Sequence, residues 1–282
     1  MRFPRFVIGA ALLGLVGWTS PQAAPAPVHY LAVSTDSSGV LVYQLPGYKL
    51  IATLNVQIPA GVAVLNGKLY VANDLYVINQ ASTVVEYDAK TFAYIATLTD
   101  SSFNTGCIQG MGVVGGPIPR LFVAGECQSL IAIYSPSGGI WQALRDESIA
   151  PSDVVTFNGR LYTLNFGSSS DVVAYDLMTY KHVKGFTDPA GSYSNGIDAG
   201  YNLFFITNIG GTVDALHATD YSLAYTISGN GLQSPVGVAH GGNSIFVANQ
   251  GSPNSLLTFQ ASNGALQHSL TLPSPPEYVA YF

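Results

Sequence analysis

The chain has 282 residues, of which only 9% are charged, with 10 Lys and Arg against 16 Asp and Glu and a formal net charge of −6. Its 48% hydrophobic content excludes an intrinsically disordered chain, and its acidic balance without a basic cluster argues against nucleic acid or anionic lipid as a partner. The longest apolar run, Phe6 to Trp18 at the N-terminus, is shorter than the ~18 residues that a membrane-spanning helix requires, and no later run approaches it.

The N-terminal segment has the pattern of an export signal. Arg2 and Arg5 precede an apolar stretch that ends at Val16, and small residues follow it. A short membrane anchor is the alternative interpretation. The sequence therefore predicts a signal peptide over residues 1–25, a single domain over residues 26–282, and a secreted or periplasmic protein without a membrane span.

One short apolar motif recurs along the rest of the chain at intervals of about 43 residues. Its six copies are Tyr30–Ser34, Leu69–Asn73, Leu121–Gly125, Leu161–Asn165, Phe204–Asn208 and Ile245–Asn249. Each copy is rich in β-branched and aromatic residues and is flanked by turn-forming residues, which is typical of a β-strand.

The segments around the motif repeat as well. A strand precedes each motif copy after the first, and Asn66-Gly67 and Asn158-Gly159 join two of these pairs as tight hairpin turns. A third and a fourth strand follow. Four antiparallel strands per repeat, six times over, predict an all-β fold, the six-bladed β-propeller. A β-sandwich, the alternative, does not predict this period.

The two ends of the chain support the ring. The first motif copy lacks the preceding strand, whereas residues 276–282 form such a strand with no motif after it. We therefore expect residues 276–282 to pair with residues 29–34, which closes the ring and removes two exposed sheet edges.

The two cysteines flank the inner hairpin of the third blade. If this hairpin folds back about Pro117, Cys107 and Cys127 lie opposite each other at its open end. In an exported protein this placement predicts a disulfide. A reactive thiol or a metal-binding pair is the alternative, but no other Cys or His lies nearby in the sequence.

One segment matches the sequence pattern of a dinucleotide-binding motif but cannot form the structure that this motif requires. Residues 110–115 match its glycine pattern, but Gly116-Pro-Ile-Pro119 follows, so the segment cannot open the helix that would hold a pyrophosphate.

Polar residues recur where the strands meet the predicted central axis, and such groups can bind a small polar ligand or a cation. The candidate ligand-binding residues are Asn73, Asp153, Asn165, Asn208, His240 and Asn249. The alternative is that the asparagines cap strand ends through side-chain-to-backbone hydrogen bonds.

Residues 61–73 and 82–98 read GVAVLNGKLYVAN and STVVEYDAKTFAYIATL, and this pattern resembles the repeats of YVTN and NHL-like propellers over nearly all of the chain after the signal. The resemblance implies the propeller fold but says little about function.

A shorter stretch, from Ser194 to Asn208, resembles gluconolactonase-type propellers. The resemblance implies that Asn195 and Glu277 are ligands of a divalent cation, Ca²⁺ or Mg²⁺. However, Asn208 stands where that family has an Asp, so the proposed general base is missing.

The sequence thus favours a monomeric scaffold that binds an unknown protein or a small polar ligand and has no evident catalytic apparatus. A metal-dependent lactone hydrolase or a propeller-type lyase is the alternative, and a purely structural cell-surface protein is a third. Because charged groups are few, the sequence also predicts that the melting temperature changes little between pH ~4 and ~8.

Overall fold

A computed structural model describes residues 27–100, 107–136, 139–146, 149–166, 171–189 and 193–282. These residues form 24 strands in six antiparallel four-stranded sheets, with two short 3₁₀ turns at Leu75–Ile78 and Glu126–Gln128. The predicted six-bladed β-propeller is confirmed. The predicted signal peptide, residues 1–25, lies outside the described residues.

Each sheet is one blade, whose first strand below lines the channel and whose fourth lies outermost. Blade 1 contains β24 (Pro276–Tyr281), β1 (His29–Thr35), β2 (Gly39–Leu45) and β3 (Lys49–Leu54); blade 2 contains β4 (Pro59–Leu65), β5 (Lys68–Asn73), β6 (Thr83–Asp88) and β7 (Tyr94–Leu98); blade 3 contains β8 (Ile108–Val114), β9 (Arg120–Gly125), β10 (Leu130–Ser135) and β11 (Ile140–Arg145). Blade 4 contains β12 (Pro151–Phe157), β13 (Arg160–Asn165), β14 (Asp171–Asp176) and β15 (His182–Thr187); blade 5 contains β16 (Ser194–Gly200), β17 (Leu203–Asn208), β18 (Thr212–His217) and β19 (Leu223–Ser228); blade 6 contains β20 (Pro235–Gly241), β21 (Ser244–Asn249), β22 (Ser255–Gln260) and β23 (Leu266–Thr271).

The repeated motif forms the second strand of every blade, where both faces pack against neighbouring blades. In β5, for example, Leu69, Tyr70 and Val71 are fully buried, which explains why the motif reads as a continuous apolar run. The outermost strands, such as β23, are largely exposed. The core therefore lies between the blades. The Asn66-Gly67 turn has the expected positive φ at both residues, 52° and 75°.

The ring closes as predicted, because β24 pairs antiparallel with β1. Leu31 lies opposite Tyr281 and Val33 opposite Val279. Beyond the strand, Tyr30 N–H donates to Phe282 O (2.7 Å), and Phe282 N–H donates to Tyr30 O (3.0 Å). Blade 1 is thus built from both ends of the described chain.

The six inner strands pack side by side around the channel. The strand registers place one equivalent position in all of them, occupied by Gly61, Gly110, Asp153, Gly196, Gly237 and Tyr278. A Cβ atom at any of the four glycines would collide with the next inner strand. The glycine at residue 110 therefore serves strand packing. The two exceptions, Asp153 and Tyr278, lie in opposite blades.

The predicted disulfide is present. Cys107 and Cys127 are bonded, with their Cα atoms 5.5 Å apart, at the open end of the β8–β9 hairpin. The hairpin register places Met111 opposite Val123, as folding about Pro117 predicts. In the part of the chain that the structure describes, no helix has the length and apolar character that a membrane crossing requires.

Candidate functional site: the central channel

All six inner strands run in the same direction, so the propeller has two distinct faces. On the start face the inner strands begin and the motif strands end, as where Pro59 pairs with Asn73. On the end face the inner strands finish, as where Leu65 pairs with Lys68. The central channel joins the two faces.

Three of the predicted asparagines hold the loops of the start face. Asn73 Oδ1 accepts a hydrogen bond from Ile58 N–H (3.0 Å), and Asn165 Oδ1 accepts one from Ala150 N–H (3.3 Å). Asn249 does the same for the loop before β20 through two backbone N–H groups at 3.0 and 3.2 Å. These bonds fix the chain entering each inner strand. A ligand-binding role for these three residues stays a prediction.

Asn208 lies in a buried polar cluster between blades. Its Nδ2 donates to Asp214 Oδ2 (2.7 Å) and to Asp188 Oδ2 (3.2 Å), and its Oδ1 accepts from Ser194 Oγ (2.6 Å). Burial raises the pKa of Asp214 despite these hydrogen bonds. The Asn208 amide, at the position that is Asp in gluconolactonase-type propellers, thus donates to two carboxyl groups. A ligand-binding role for Asn208 also stays a prediction.

Tyr278 fills the channel at mid-depth. Its buried hydroxyl donates to Ser152 O (2.9 Å) in the opposite blade. Burial raises its pKa well above the ordinary tyrosine value, and neighbouring negative charges add to this effect. Those charges belong to Asp153, Glu277, Glu126 and Asp74. Carboxyl groups from four blades therefore converge on one side chain.

Four carboxyl groups surround the channel opening on the start face, and we call Asp36, Asp74, Glu126 and Glu277 the acidic mouth. The first three directly follow the motif strands of blades 1, 2 and 3. Glu277 lies at the start of β24, where burial and contact with Asp36 raise its pKa to about 8. Gln250 Nε2 donates to Glu277 Oε1 (2.7 Å), which opposes that rise.

Two further carboxyl groups of the mouth are also destabilised as anions. Burial raises the pKa of Asp74, although Ser82 Oγ (3.2 Å) and Tyr76 N–H (3.3 Å) donate to its carboxylate. Burial and the charge of Asp74 raise the pKa of Glu126. Among the described residues, the one salt bridge joins Lys68 and Glu86 elsewhere (2.5 Å), so none of the described Lys and Arg side chains forms a salt bridge with the mouth.

Blades 4 and 5 carry apolar residues at the same repeat position. Phe166 and Ile209 directly follow their motif strands, with 45% and 37% of their surfaces exposed, and Tyr193 beside them is 50% exposed. We call Phe166, Tyr193 and Ile209 the apolar arc. The start face thus carries the acidic mouth at blades 1 to 3 and the apolar arc at blades 4 and 5, and the 3₁₀ turn of blade 2 adds the exposed apolar residues Tyr76, Val77 and Ile78.

The basic side chains lie mainly at the other face. Six of the described Lys and Arg residues occupy strand beginnings or turns on the end face: Lys49, Lys68, Lys90, Arg120, Arg160 and Lys181. The ring is therefore polarised along its axis, with the carboxyl-rich opening facing away from most of the positive charge.

On the end-face side of Tyr278 the channel holds a cavity of about 210 Å³ lined by all six inner strands. Its wall combines apolar side chains with a larger area of polar atoms, and two carboxyl groups line it. Asp153 accepts hydrogen bonds from Val154 N–H (2.8 Å) and Ile197 N–H (2.9 Å), and burial raises its pKa well above the ordinary value. The second carboxyl group is that of Asp198.

Asp198 bridges two blades from β16. It accepts hydrogen bonds from Ala199 N–H (2.7 Å) and from His240 N–H (2.5 Å) in β20. Burial raises its pKa to about 6. His240 itself lines the cavity, burial lowers its pKa, and its Nε2 is buried without a hydrogen-bond partner among the described residues.

The structure thus distributes the predicted site residues over three places. Asp153 and His240 line the cavity, Glu277 belongs to the acidic mouth, and the asparagines hold loops. Asn195 is the partly buried second residue of β16, and no group of three or more His, Cys, Asp or Glu side chains within the described ranges is arranged to hold a metal ion. The metal role of Glu277 and Asn195 stays a prediction.

Sequence reasoning missed five residues of the channel, namely Asp36, Asp74, Glu126, Asp198 and Tyr278. A signal for them is present in the repeat. Three carboxylates directly follow a motif strand, whereas Asp198 and Tyr278 occupy inner-strand positions that are small or glycine in most other blades.

Comparisons with known proteins place the fold alone. No family model and no curated protein sequence matches the chain, so the resemblance to YVTN and NHL-like repeats stays a prediction. A chain from the crystal structure of a nidogen/laminin complex superposes with a TM-score of 0.76 at 12% identity, over 90% of this chain and 98% of that chain. The computationally designed Ika8 protein superposes with a TM-score of 0.54 at 12% identity, over 87% and 73% of the two chains.

Proposed function

We propose that this propeller is a binding protein whose start face takes a segment of another protein. A Lys or Arg side chain of that segment enters the acidic mouth, and adjacent apolar side chains pack on the apolar arc. The observation that carries the proposal is the convergence of four carboxyl groups on one opening without a Lys or Arg salt bridge among the described residues.

The electrostatics of the mouth favour a cationic ligand. Burial disfavours the ionised forms of Glu277, Glu126 and Asp74, and a neighbouring carboxyl group adds repulsion at Glu277 and Glu126, as the raised pKa values show. A bound cation reverses both effects, because it replaces lost water contacts and screens the repulsion. Binding a basic side chain therefore lowers these pKa values, because the cation stabilises the ionised carboxylates.

The apolar arc supplies contact area and orientation. Exposed aromatic and aliphatic side chains next to a charged site are typical of protein-binding surfaces, in which apolar contacts give affinity and charge gives specificity. A structural neighbour of this fold comes from a nidogen/laminin complex, which gives a precedent for a protein partner. The disulfide near the mouth fits a secreted or periplasmic protein, and we propose a monomer.

The test is fluorescence anisotropy with a labelled peptide that carries one Lys between Leu and Phe residues. Replacing two carboxylates, Glu126→Gln with Glu277→Gln, should weaken binding by about tenfold or more at ~50 mM salt, and ~300 mM salt should weaken binding to the unchanged protein. The matched control is Asp220→Asn, which removes an exposed carboxylate from the end face.

Equal binding of a peptide with Gln in place of Lys would contradict the proposal, as would equal loss in the Asp220→Asn control. The same assay tests a divalent cation at the mouth, for which the contact between Asp36 and Glu277 offers oxygen ligands. If Ca²⁺ or Mg²⁺ occupies the mouth, either ion will compete with the Lys peptide in the unchanged protein but not in the double variant.

A further inference from the structure

Asp198 departs from the repeat at a position that faces the cavity. The strand registers align it with small or apolar residues in the five other blades: Ala63, Gly112, Val155, Ala239 and Ala280. Those blades form the same inner strand without a carboxylate. The fold therefore does not require Asp198, and its presence at this one blade needs another explanation.

The surroundings of Asp198 leave its negative charge without a cation. Two backbone N–H groups, of Ala199 and His240, donate to the carboxylate, and no Lys or Arg of the described chain lines the cavity. The side chain is only partly buried although it lies deep in the ring, and it borders the cavity. Its carboxylate can therefore accept further hydrogen bonds from a molecule in the cavity.

His240 borders the same cavity but adds no acceptor to it. Its ring lies parallel to that of Phe205 and packs against Gly200, and its Nε2 is buried away from the cavity without a partner among the described residues. Burial lowers the pKa of His240, which disfavours a positive charge on the ring that would oppose a cation in the cavity.

We propose that the cavity binds a small primary ammonium ion with a short apolar chain. The ammonium group donates to the Asp198 carboxylate, and the chain contacts Val64, Val113 and Val155 of the cavity wall. This site is independent of the acidic mouth, from which Tyr278 separates it.

Size and charge restrict the ligand. A cavity of about 210 Å³ lies below the ~300–1,000 Å³ of sites for drug-sized molecules, so it accepts an amine of a few carbon atoms. Burial raises the pKa of Asp153, the other carboxyl group in the wall, and so disfavours a second negative charge there. A monocation therefore matches the cavity better than a dication.

The experiment titrates n-butylammonium chloride and, as the uncharged comparison, 1-butanol into the isotopically labelled protein and follows the backbone amides of Ala199 and His240 by NMR. We expect saturable shifts with n-butylammonium and none with 1-butanol. Asp198→Asn should weaken binding by about tenfold or more, because a charge-assisted hydrogen bond is lost. The exposed control Asp176→Asn, on the end face, should bind like the unchanged protein.

If Asp198→Asn fails to fold, Val64→Phe is the second test, because it fills the cavity from a partly exposed wall position and should abolish the shifts.

Affinity should also fall as the pH drops below about 6, the pKa of Asp198. The other titratable groups lining the cavity are Asp153, His240, Tyr278 and Tyr281. The proposal is overturned if the unchanged protein gives no saturable shift, if 1-butanol binds equally well, or if neither variant weakens binding. Binding of the Lys peptide to the start face should be the same in both variants, so the two proposals fail separately.

Discussion

Tyr278 is the residue on which both halves of the channel depend. It occupies a position that is glycine in four of the six blades, and its ring separates the acidic mouth from the cavity. Its hydroxyl makes one hydrogen bond across the ring, to Ser152 O. The packing of the ring and this single bond can be separated by mutation.

We expect Tyr278→Phe to lower the free energy of unfolding by about 1–3 kcal/mol, because the carbonyl of Ser152 loses its buried donor. Tyr278→Ala should cost about 3–5 kcal/mol, since it leaves a cavity where the ring was. Denaturant unfolding, followed by circular dichroism, measures both values. Equal stability of the two variants would show that the ring does not fill the channel.

Single residues are predictable where their own strand makes them conspicuous. Asp153, Glu277 and His240 stand out because a polar residue in or at the end of an apolar inner strand points to the axis. Asp198 does not stand out in its own strand. Its departure from the repeat is visible only when β16 is aligned with the five other inner strands, and each of those contains a bulge that shifts the register near this position. The partners of the asparagines lie in loops whose conformation no sequence pattern specifies.

Among the elements, β24 has the greatest effect on the ring. It contributes Tyr278, Val279 and Ala280 to the buried core and supplies the inner edge of blade 1. Each large apolar side chain is worth about 1.5–3 kcal/mol when buried, against a total stability of about 5–15 kcal/mol for a typical domain.

A chain that ends at Ser274 should therefore unfold or aggregate. The reference is the predicted domain, residues 26–282. The matched control starts at His29 and so lacks Val28, which is 49% exposed and lies outside the strands; this control should melt like the reference. Differential scanning calorimetry and size-exclusion chromatography compare the two. If the variant that ends at Ser274 melts within ~3 °C of the chain over residues 26–282, the role of β24 is contradicted.

The strands are predictable because period, motif and turn chemistry agree in every repeat. The two 3₁₀ turns are not, since Leu75–Ile78 and Glu126–Gln128 have four and three residues and are too short to show a helical period. Both follow motif strands on the start face, and they carry Tyr76 beside the acidic mouth and Glu126 within it. The least predictable elements thus shape the proposed binding surface.

At the scale of the whole molecule, the buried carboxyl groups change the expected response to pH. Burial is the largest cause of the raised pKa in each of Asp74, Glu126, Asp153, Asp198, Asp214 and Glu277. The folded protein holds these protons more tightly than the unfolded chain, so stability falls as the pH rises from the ordinary carboxyl range towards the folded values, about 6 for Asp198 and about 8 for Glu277.

We therefore expect the melting temperature to be higher near pH ~5 than near pH ~8, in place of the flat profile that the low charge content alone predicts. Below pH ~4 the sign reverses for the exposed turn residues, because hydrogen bonds lower the pKa of Asp88, Asp176 and Asp220 and their contribution is lost on protonation. A series of thermal melts across this range measures the curve. A melting temperature that rises steadily up to pH ~8 would contradict it.

The pairing of β24 with β1 also sets the order of events when the chain is made. Translation releases β1 long before β24, so Leu31 cannot meet Tyr281 until about 250 further residues have been made. Through that whole interval the inner edge of β1 has free backbone groups, which are prone to pair with other chains. Joining residues so far apart in sequence is also slow. A chaperone that shields an exposed strand edge would therefore act on this protein during its biosynthesis, at β1, and would be released when β24 pairs with it.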